Sequence, residues 1–209
     1  MGVRLTPSTP AQSVVFDIGN VLVVWDPRRL YVPLFGGNDE RAARFLRDVV
    51  STDWILENDA GRSVRDGVAA LVASHPEHAE AIRAFDARWQ EMLGDVLADN
   101  VAVAEELLAR GVPLFVLSNW PPDKFHHALE RLPLLKRFQD LVVSGQVKLR
   151  KPDPAIFRLL LERNRLDPAR TAFIDDTAEH VVTARSLGMH GIHLAPGVSL
   201  RRELASLGL

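Results

Sequence analysis

Short apolar runs alternate with helix patterns along the second half of the chain, and this alternation constrains the fold more than any other feature. The runs occupy residues 112–119, 140–145, 171–176 and 190–196, and residues 14–16 form a fifth run near the start. The four later runs are apolar on both faces, which is typical of parallel strands that helices cover on both sides. The pattern predicts an α/β fold with a doubly wound, Rossmann-like parallel sheet.

Turn and capping residues indicate where the helices lie between these strands. Asp99 is a candidate N-cap, and Gly111 follows the last position of the same helix pattern. Asp153 and Pro154 stand in the order expected at a helix start, and a further pattern ends at Gly188. Strand and helix therefore alternate from about residue 99 to the end of the chain.

Residues 26–95 interrupt this alternation with three helix-like segments and no convincing strand. These helices could simply lie on the surface of the sheet domain. Their insertion directly after the first strand favours a small helical cap subdomain that covers the carboxyl ends of the strands. We therefore predict a flexible tail at residues 1–12, an α/β core at 13–25 and 96–209, and a helical cap at 26–95.

The composition excludes several classes of function. Lys and Arg total 25 against 27 for Asp and Glu, so a net charge of −2 offers no basic surface for nucleic acid. The absence of cysteine excludes a disulfide framework and a thiolate metal site, and it is consistent with a cytoplasmic protein. Apolar runs are too short to span a membrane, and Asp17 interrupts the hydrophobic stretch that a secretory signal would need. The sequence thus predicts a cytoplasmic location without membrane or nucleic-acid partners.

Polar residues follow the predicted strands at the points where the strands end. Any one of them has an ordinary explanation as a turn residue, a helix cap or a surface charge. In an open α/β sheet, however, ligands bind outside the carboxyl ends of the strands. The residues at those ends are Asp17, Ser118, Asn119, Lys151, Asp175 and Asp176.

These residue types together suit metal-assisted phosphoryl transfer. Carboxylates gathered at one point repel each other unless a cation neutralises them, and hard oxygen ligands suit Mg²⁺. A hydroxyl, an amide and a lysine supply hydrogen bonds and positive charge to phosphate oxygens. An ionised aspartate beside the metal can attack phosphorus and form a covalent phospho-aspartate.

Four segments resemble, in order, the four signature motifs of the haloacid dehalogenase (HAD) superfamily of hydrolases. They read FDIGNVLV, VLSNW, KLRKPDPAIF and FIDDTAEHV. Four ordered motifs form a far more specific signal than any one of them. The segments are most similar to the phosphatase branch that includes a bacterial glucose-1-phosphatase.

The resemblance implies a role for each matching residue. Asp17 corresponds to the nucleophile, and Lys151 to the charge that steadies nucleophile and phosphate. Ser118 and Asn119 correspond to the phosphate ligands, and the neighbouring Trp120 is a candidate substrate contact. The implied protein ligands of Mg²⁺ are Asp17, Asp175, Asp176 and the main-chain carbonyl of Gly19.

Gly19 departs from the superfamily pattern. Most phosphatases of the superfamily carry a second aspartate at this position, which acts as general acid and base. Such catalysis typically contributes about 10²- to 10⁴-fold to the rate. A substitute could come from the cap or from loop residues such as Asp26, Asp123 or His126, and the sequence does not distinguish among them.

Two further features stay open at this level. The segment ENDAGR at residues 57–62 is similar to an acid-x-Gly specificity loop of related caps, but a plain turn explains it equally well. His180 belongs to no recognisable metal-ligand set and is interpreted as structural.

The sequence therefore predicts a Mg²⁺-dependent phosphatase that acts on a small phosphorylated metabolite, of which a sugar phosphate is one candidate. One alternative is a metal-independent haloacid dehalogenase-type hydrolase that uses the same nucleophile. Another is a catalytically weak phosphate-binding regulatory module. The expected partner is a small-molecule phosphate ester, and the oligomeric state stays open.

Overall fold

A five-stranded parallel sheet forms the centre of the molecule in the computed structural model, which describes residues 10–209. Its strands are β1 (Ser13–Phe16), β4 (Leu114–Ser118), β5 (Asp140–Val143), β6 (Thr171–Asp175) and β7 (His190–His193). Their order is β5-β4-β1-β6-β7. The predicted parallel sheet is therefore confirmed, with each strand inside or adjoining its predicted run.

The strand register brings the predicted site residues to one edge of this sheet. Phe16 pairs with Val116 on one side and with Ile174 on the other. Continuing this register by one residue sets Asp17 beside Asp175, and the Asp17 N–H donates to the Ile174 carbonyl at 2.9 Å. Chain connections run to opposite edges of the sheet on either side of β1, which is where such sheets bind ligands.

Helices cover both faces of the sheet, as the doubly wound prediction requires. They are α6 (Ala98–Ala109), α7 (Phe125–Arg131), α8 (Ser144–Val147), α9 (Pro154–Asn164), α10 (Ala178–Ser186) and α11 (Leu200–Ser206). Asp153 caps α9 by accepting from the Ala155 N–H, as predicted. Asp99, by contrast, lies in the first turn of α6, whose N-cap is Leu97. Two apolar clusters fill the space on either side of the sheet.

The segment between the first strand and α6 is mostly helical. It contains α1 (Arg28–Leu34), α2 (Asp39–Asp48), α3 (Thr52–Asp59), α4 (Val64–Ser74) and α5 (Ala79–Ala87), with short 3-10 helices at Pro76–His78 and Trp89–Met92. Side chains of Asn38, Ser51 and Ser63 cap α2, α3 and α4, because each accepts a hydrogen bond from a free N–H of the first turn.

A small antiparallel pair of strands flanks this helical segment. The pair joins β2 (Val23–Trp25) to β3 (Leu93–Val96), with Val23 opposite Val96. The expectation that residues 26–95 contain no strand is therefore wrong at its far end, where β3 begins at Leu93. The sequence of β3, Leu-Gly-Asp-Val, carries little strand signal because Gly and Asp are depleted in strands.

Polar contacts attach the helical segment to the sheet domain. The Asp123 carboxylate accepts from the Val64 N–H at 3.0 and 3.1 Å and so caps α4 from the other part of the chain. Lys124 forms an ion pair with Asp86 of α5. The division into core and cap subdomains stays a prediction, and these contacts show how the two segments meet.

The start of the described chain is bonded to the core. The Ala11 N–H donates to the Leu207 carbonyl, and the Gln12 N–H donates to the Arg170 carbonyl. The predicted flexible tail therefore does not extend to these two residues, while its first nine residues lie outside the described part of the chain. Within residues 10–209, no helix combines the length and apolarity needed to cross a membrane.

Candidate active site

A buried lysine joins two aspartates at the carboxyl edge of the sheet. Lys151 is fully buried, and its Nζ lies 3.0 Å from Asp17 Oδ1 and 2.6 Å from Asp175 Oδ2. Burial alone would lower the pKa of Lys151, but the two carboxylates outweigh it and raise that pKa, so the ammonium stays charged. Residues from three distant parts of the chain thus form one ionic cluster.

The carboxyl of Asp175 is held by several donors. Besides Lys151, it accepts from the Thr177 N–H at 2.8 Å, and His180 Nδ1 lies 3.0 Å from both of its oxygens. Burial would raise the pKa of Asp175, but Lys151 and His180 outweigh that cost and lower it to about 2. Asp175 is therefore ionised at neutral pH.

Asp17 has a different environment from Asp175. Burial raises the pKa of Asp17 to about 6; Asp175 adds to this shift, and Lys151 and the Ser118 hydroxyl oppose it. A carboxyl in this condition ionises readily when a further positive charge arrives. Asp17 is thus a carboxylate whose charge depends on what binds beside it.

Three carboxylates converge closely enough to hold one cation. Ligand atoms of Asp17, Asp175 and Asp176 all lie within 4.8 Å of one another. Asn20 fixes Asp176, since its Nδ2 donates to Asp176 Oδ2 at 3.2 Å. The main-chain carbonyl of Gly19 accepts no hydrogen bond within residues 10–209 and is free to act as a further oxygen ligand.

This donor set fits Mg²⁺. All of its ligands are hard oxygens, and the single ammonium of Lys151 leaves the three carboxylates with an uncompensated negative charge. Mg²⁺ prefers such oxygen ligands and commonly bridges one or two carboxylates to a substrate phosphate. When bound, the ion would neutralise the acids and withdraw charge from a phosphate oxygen.

Ser118 is the last residue of β4, and Asn119 follows it directly. Ser118 is buried next to Asp17. The Asn119 amide holds the main chain of Lys151, with Nδ2 donating to its carbonyl at 3.0 Å and Oδ1 accepting from its N–H at 2.9 Å. Asn119 therefore orients the lysine, and its role as a phosphate ligand stays a prediction.

A cavity of about 310 Å³ opens onto the cluster. Asp17, Ser118 and Asp176 line it together with residues of the helical segment. Trp120 lines it as predicted and packs against Trp89 with ring centroids 6.4 Å apart. The other apolar lining residues are Trp25, Pro27, Leu46, Val50, Ile55, Leu56 and Pro121.

One more carboxyl lines this cavity. Asp59, at the end of α3, is only 8% exposed. Burial, with Asp17 adding to it, raises the pKa of Asp59 to about 7, although Arg150 and Lys151 oppose the shift. The ENDAGR segment, equally well explained as a plain turn from sequence, thus brings an acid to the cavity.

Sequence reasoning missed His180 and Asn20 as members of this cluster. His180 was interpreted as structural, yet it lines the cavity and contacts Asp175. Its position five residues after Asp175, in the first turn of α10, is the signal that could have revealed it. Asn20 has a φ of 53°, a backbone conformation that asparagine tolerates better than most residues. Because this conformation is known only from the structure, no signal for Asn20 was visible in the sequence.

Comparisons with known proteins identify the family of this chain. A family model described as a haloacid dehalogenase-like hydrolase matches residues 12–188, and the chain therefore belongs to this family of hydrolases.

Its relatives include curated phosphatases. The chain is 26% identical over 204 residues to the sesquiterpene phosphatase astK of Aspergillus oryzae, covering 95% of this chain and 97% of that one. It is 28% identical over 189 residues to a phosphorylated carbohydrates phosphatase of Thermotoga maritima, covering 87% and 84%. Among solved structures it resembles the HAD family enzyme bt-2542 of Bacteroides thetaiotaomicron in complex with magnesium and inorganic phosphate. That match has a TM-score of 0.72 and 20% identity and covers 92% of this chain and 98% of the other, which supports the fold.

Proposed function

We propose that this protein is a Mg²⁺-dependent phosphatase that hydrolyses a small phosphate monoester through a phospho-aspartate on Asp17. The observation that carries the proposal is the convergence of the Asp17, Asp175 and Asp176 carboxylates within 4.8 Å, beside a fully buried Lys151. The family assignment and the phosphatases among its relatives support the same class of reaction.

Each residue of the cluster has a distinct task in this proposal. Asp17 attacks phosphorus, and Lys151 neutralises charge on the nucleophile and on the phosphate. The Ser118 hydroxyl donates to a phosphate oxygen, while Asp175, Asp176 and the Gly19 carbonyl complete the metal site with Asp17. Preorganised charges of this kind usually supply the largest share of transition-state stabilisation.

The cavity wall favours a substrate with an apolar leaving group. Aliphatic side chains from α2, α3 and the loop between them face the cluster together with three tryptophans. A sugar would place some of its hydroxyls against these apolar side chains, and each hydroxyl left unpaired there costs binding energy. The two phosphatase relatives differ in the same respect, since one is named for a sesquiterpene and the other for phosphorylated carbohydrates. An experiment must therefore compare apolar esters with sugar phosphates.

A phosphate-release assay tests the proposal. The panel compares isoprenyl and long-chain alkyl monophosphates with sugar phosphates, with added Mg²⁺ and with EDTA. We expect Mg²⁺-dependent release that favours the apolar esters and disappears in the Asp17→Asn variant. Equal release by the wild type and this variant would refute the proposal.

The same assay separates the alternative functions. A metal-independent dehalogenase would act on a 2-haloacid in the presence of EDTA. The adjacent acids Asp175 and Asp176 disfavour it, because they would repel a haloacid carboxylate. A non-catalytic binding module would bind inorganic phosphate and release none from any ester.

A further inference from the structure

We propose that Asp59 is the general acid and base of the hydrolysis and replaces the carboxyl that is missing at Gly19. This inference rests on the proposed function, since it assigns a proton carrier to the same reaction. It concerns a residue of the helical segment, forty positions away from Gly19 along the chain.

The cavity contains few groups that could carry this proton. Its lining residues with an ionisable carboxyl or imidazole are Asp17, Asp59, Asp176 and His180. Asp17 is the proposed nucleophile and Asp176 belongs to the metal cluster, while His180 turns its Nδ1 to Asp175. Asp59 is the carboxyl of this set that has no other task, and no described residue hydrogen-bonds to its side chain.

The loop acids considered from sequence are engaged elsewhere. Asp26 accepts from the Arg28 N–H at 2.9 Å and caps the start of α1. Both oxygens of Asp123 accept from the Val64 N–H. His126 stacks against His127, and none of the three lines the cavity.

The main chain of Asp59 is fixed to the phosphate-binding side of the site. The fully buried Ser144 hydroxyl donates to the Asp59 carbonyl at 2.6 Å and accepts from the Trp120 N–H at 3.0 Å. One side chain therefore links Asp59 to the loop that follows Ser118. The next turn is equally close to the core, because a Cβ on Gly61 would lie 3.3 Å from the Gly145 carbonyl.

The environment of the carboxyl suits proton transfer at neutral pH. Burial raises the pKa of Asp59 to about 7, so the folded protein holds both protonated and ionised forms near that pH. A general acid and base works best when its pKa lies near the working pH.

Asp59 would transfer one proton in each of the two chemical steps. As Asp17 forms a bond to phosphorus, the bond to the ester oxygen breaks and Asp59 gives its proton to the departing alcohol. The ionised Asp59 then takes a proton from water while the water oxygen attacks phosphorus and the bond to Asp17 breaks. Inorganic phosphate leaves, and Asp59 is protonated again.

The test compares Asp59→Asn with Asp53→Asn, which changes an exposed carboxyl of the same helix. Each variant is assayed with Mg²⁺ on p-nitrophenyl phosphate, whose leaving group needs no proton, and on an alkyl phosphate, whose leaving group does. We expect Asp59→Asn to lose about 10²- to 10⁴-fold in kcat/KM on the alkyl ester and far less on the aryl ester. Asp53→Asn should resemble the wild type on both.

A pre-steady-state measurement adds a readout that a structural role would not change. With p-nitrophenyl phosphate, Asp59→Asn should still phosphorylate Asp17 but lack the base for the second step. A burst of nitrophenolate close to one equivalent per enzyme, with phosphoenzyme visible by mass spectrometry, is therefore expected. The Gly19→Asp substitution should remove this burst in the same background, because a Cβ at position 19 meets nothing closer than Trp25 Cβ at 3.8 Å.

The outcomes separate the two proposals. An active wild type with equal losses on both esters and no burst in Asp59→Asn would overturn the role of Asp59 alone. A burst in His180→Gln but not in Asp59→Asn would assign the proton to His180 instead. A wild type that releases phosphate from neither ester would overturn the proposed function and the role of Asp59 with it.

Discussion

Replacing Asp59 by asparagine should stabilise the protein at alkaline pH. The pKa of Asp59 rises from its ordinary value of 3.8 to about 7 in the folded protein, chiefly through burial. The folded state therefore binds this proton more tightly than the unfolded state. Stability from this group is fully present below about pH 4 and is lost as the pH rises through about 7.

The size of the effect follows from the two pKa values. Each tenfold change in proton affinity corresponds to about 1.4 kcal/mol, so the wild type loses up to about 4 kcal/mol through Asp59 between about pH 4 and pH 8. Asparagine has nearly the same shape and cannot ionise. Relative to the wild type, the free energy of unfolding of Asp59→Asn should therefore rise by up to about 4 kcal/mol between about pH 4 and pH 8.

Urea denaturation of the wild type and of Asp59→Asn, in EDTA at about pH 4 and at about pH 8, measures this change in relative stability. EDTA keeps stray divalent ions from changing the charges near Asp59. Any pH-independent cost of the substitution cancels, because only the change in the difference between the two proteins is compared. A difference that stays constant within about 1 kcal/mol would show that Asp59 is not the buried, proton-binding group described above.

Three further substitutions test other parts of the site. Lys151→Met should lower the free energy of unfolding by about 3–5 kcal/mol, because it removes the buried ammonium that Asp17 and Asp175 share. Lys148→Met, at a nearby exposed lysine, should change it by less than about 0.5 kcal/mol, and urea titration that ranks the two alike would contradict this. Gly19→Asp should raise kcat/KM on alkyl phosphates more than on aryl phosphates, and equal effects would argue against a leaving-group role for that position. Leu56→Asn should weaken the binding of an apolar ester by roughly 1.5–3 kcal/mol, which raises KM about tenfold or more. Inhibition by inorganic phosphate should stay unchanged.

The α/β core could be predicted from sequence because its signals are local. Each core strand is a short apolar run, and polar residues stand at or directly after the ends of β1, β4 and β6. Parallel pairing then brings those ends to one edge, so Asp17, Ser118 and Asp175 could be grouped from the sequence. Lys151 lies eight residues past the end of β5, beyond α8, and was grouped with them through its motif. The prediction worked because the sheet topology turns sequence order into spatial proximity.

Other features depend on tertiary contacts that leave no local pattern. The β2–β3 pair joins residues 68 to 73 positions apart, and β3 has the composition of a loop. The role of Asn119 could not be predicted from its sequence neighbours, because its amide hydrogen-bonds to the main chain of Lys151, thirty-two residues away. Asp59 could be recognised as a cavity acid only when its burial and its place in the cavity lining were known.

The clustering of aromatic side chains gives this protein a built-in optical reporter. Of its four tryptophans, Trp25, Trp89 and Trp120 line the cavity, and Trp54 contacts Phe85, which packs on Trp89. Ultraviolet emission from the native protein therefore arises almost wholly at or beside the place where an ester would bind. Stopped-flow fluorescence on the unlabelled protein should follow entry of substrate and departure of product in real time.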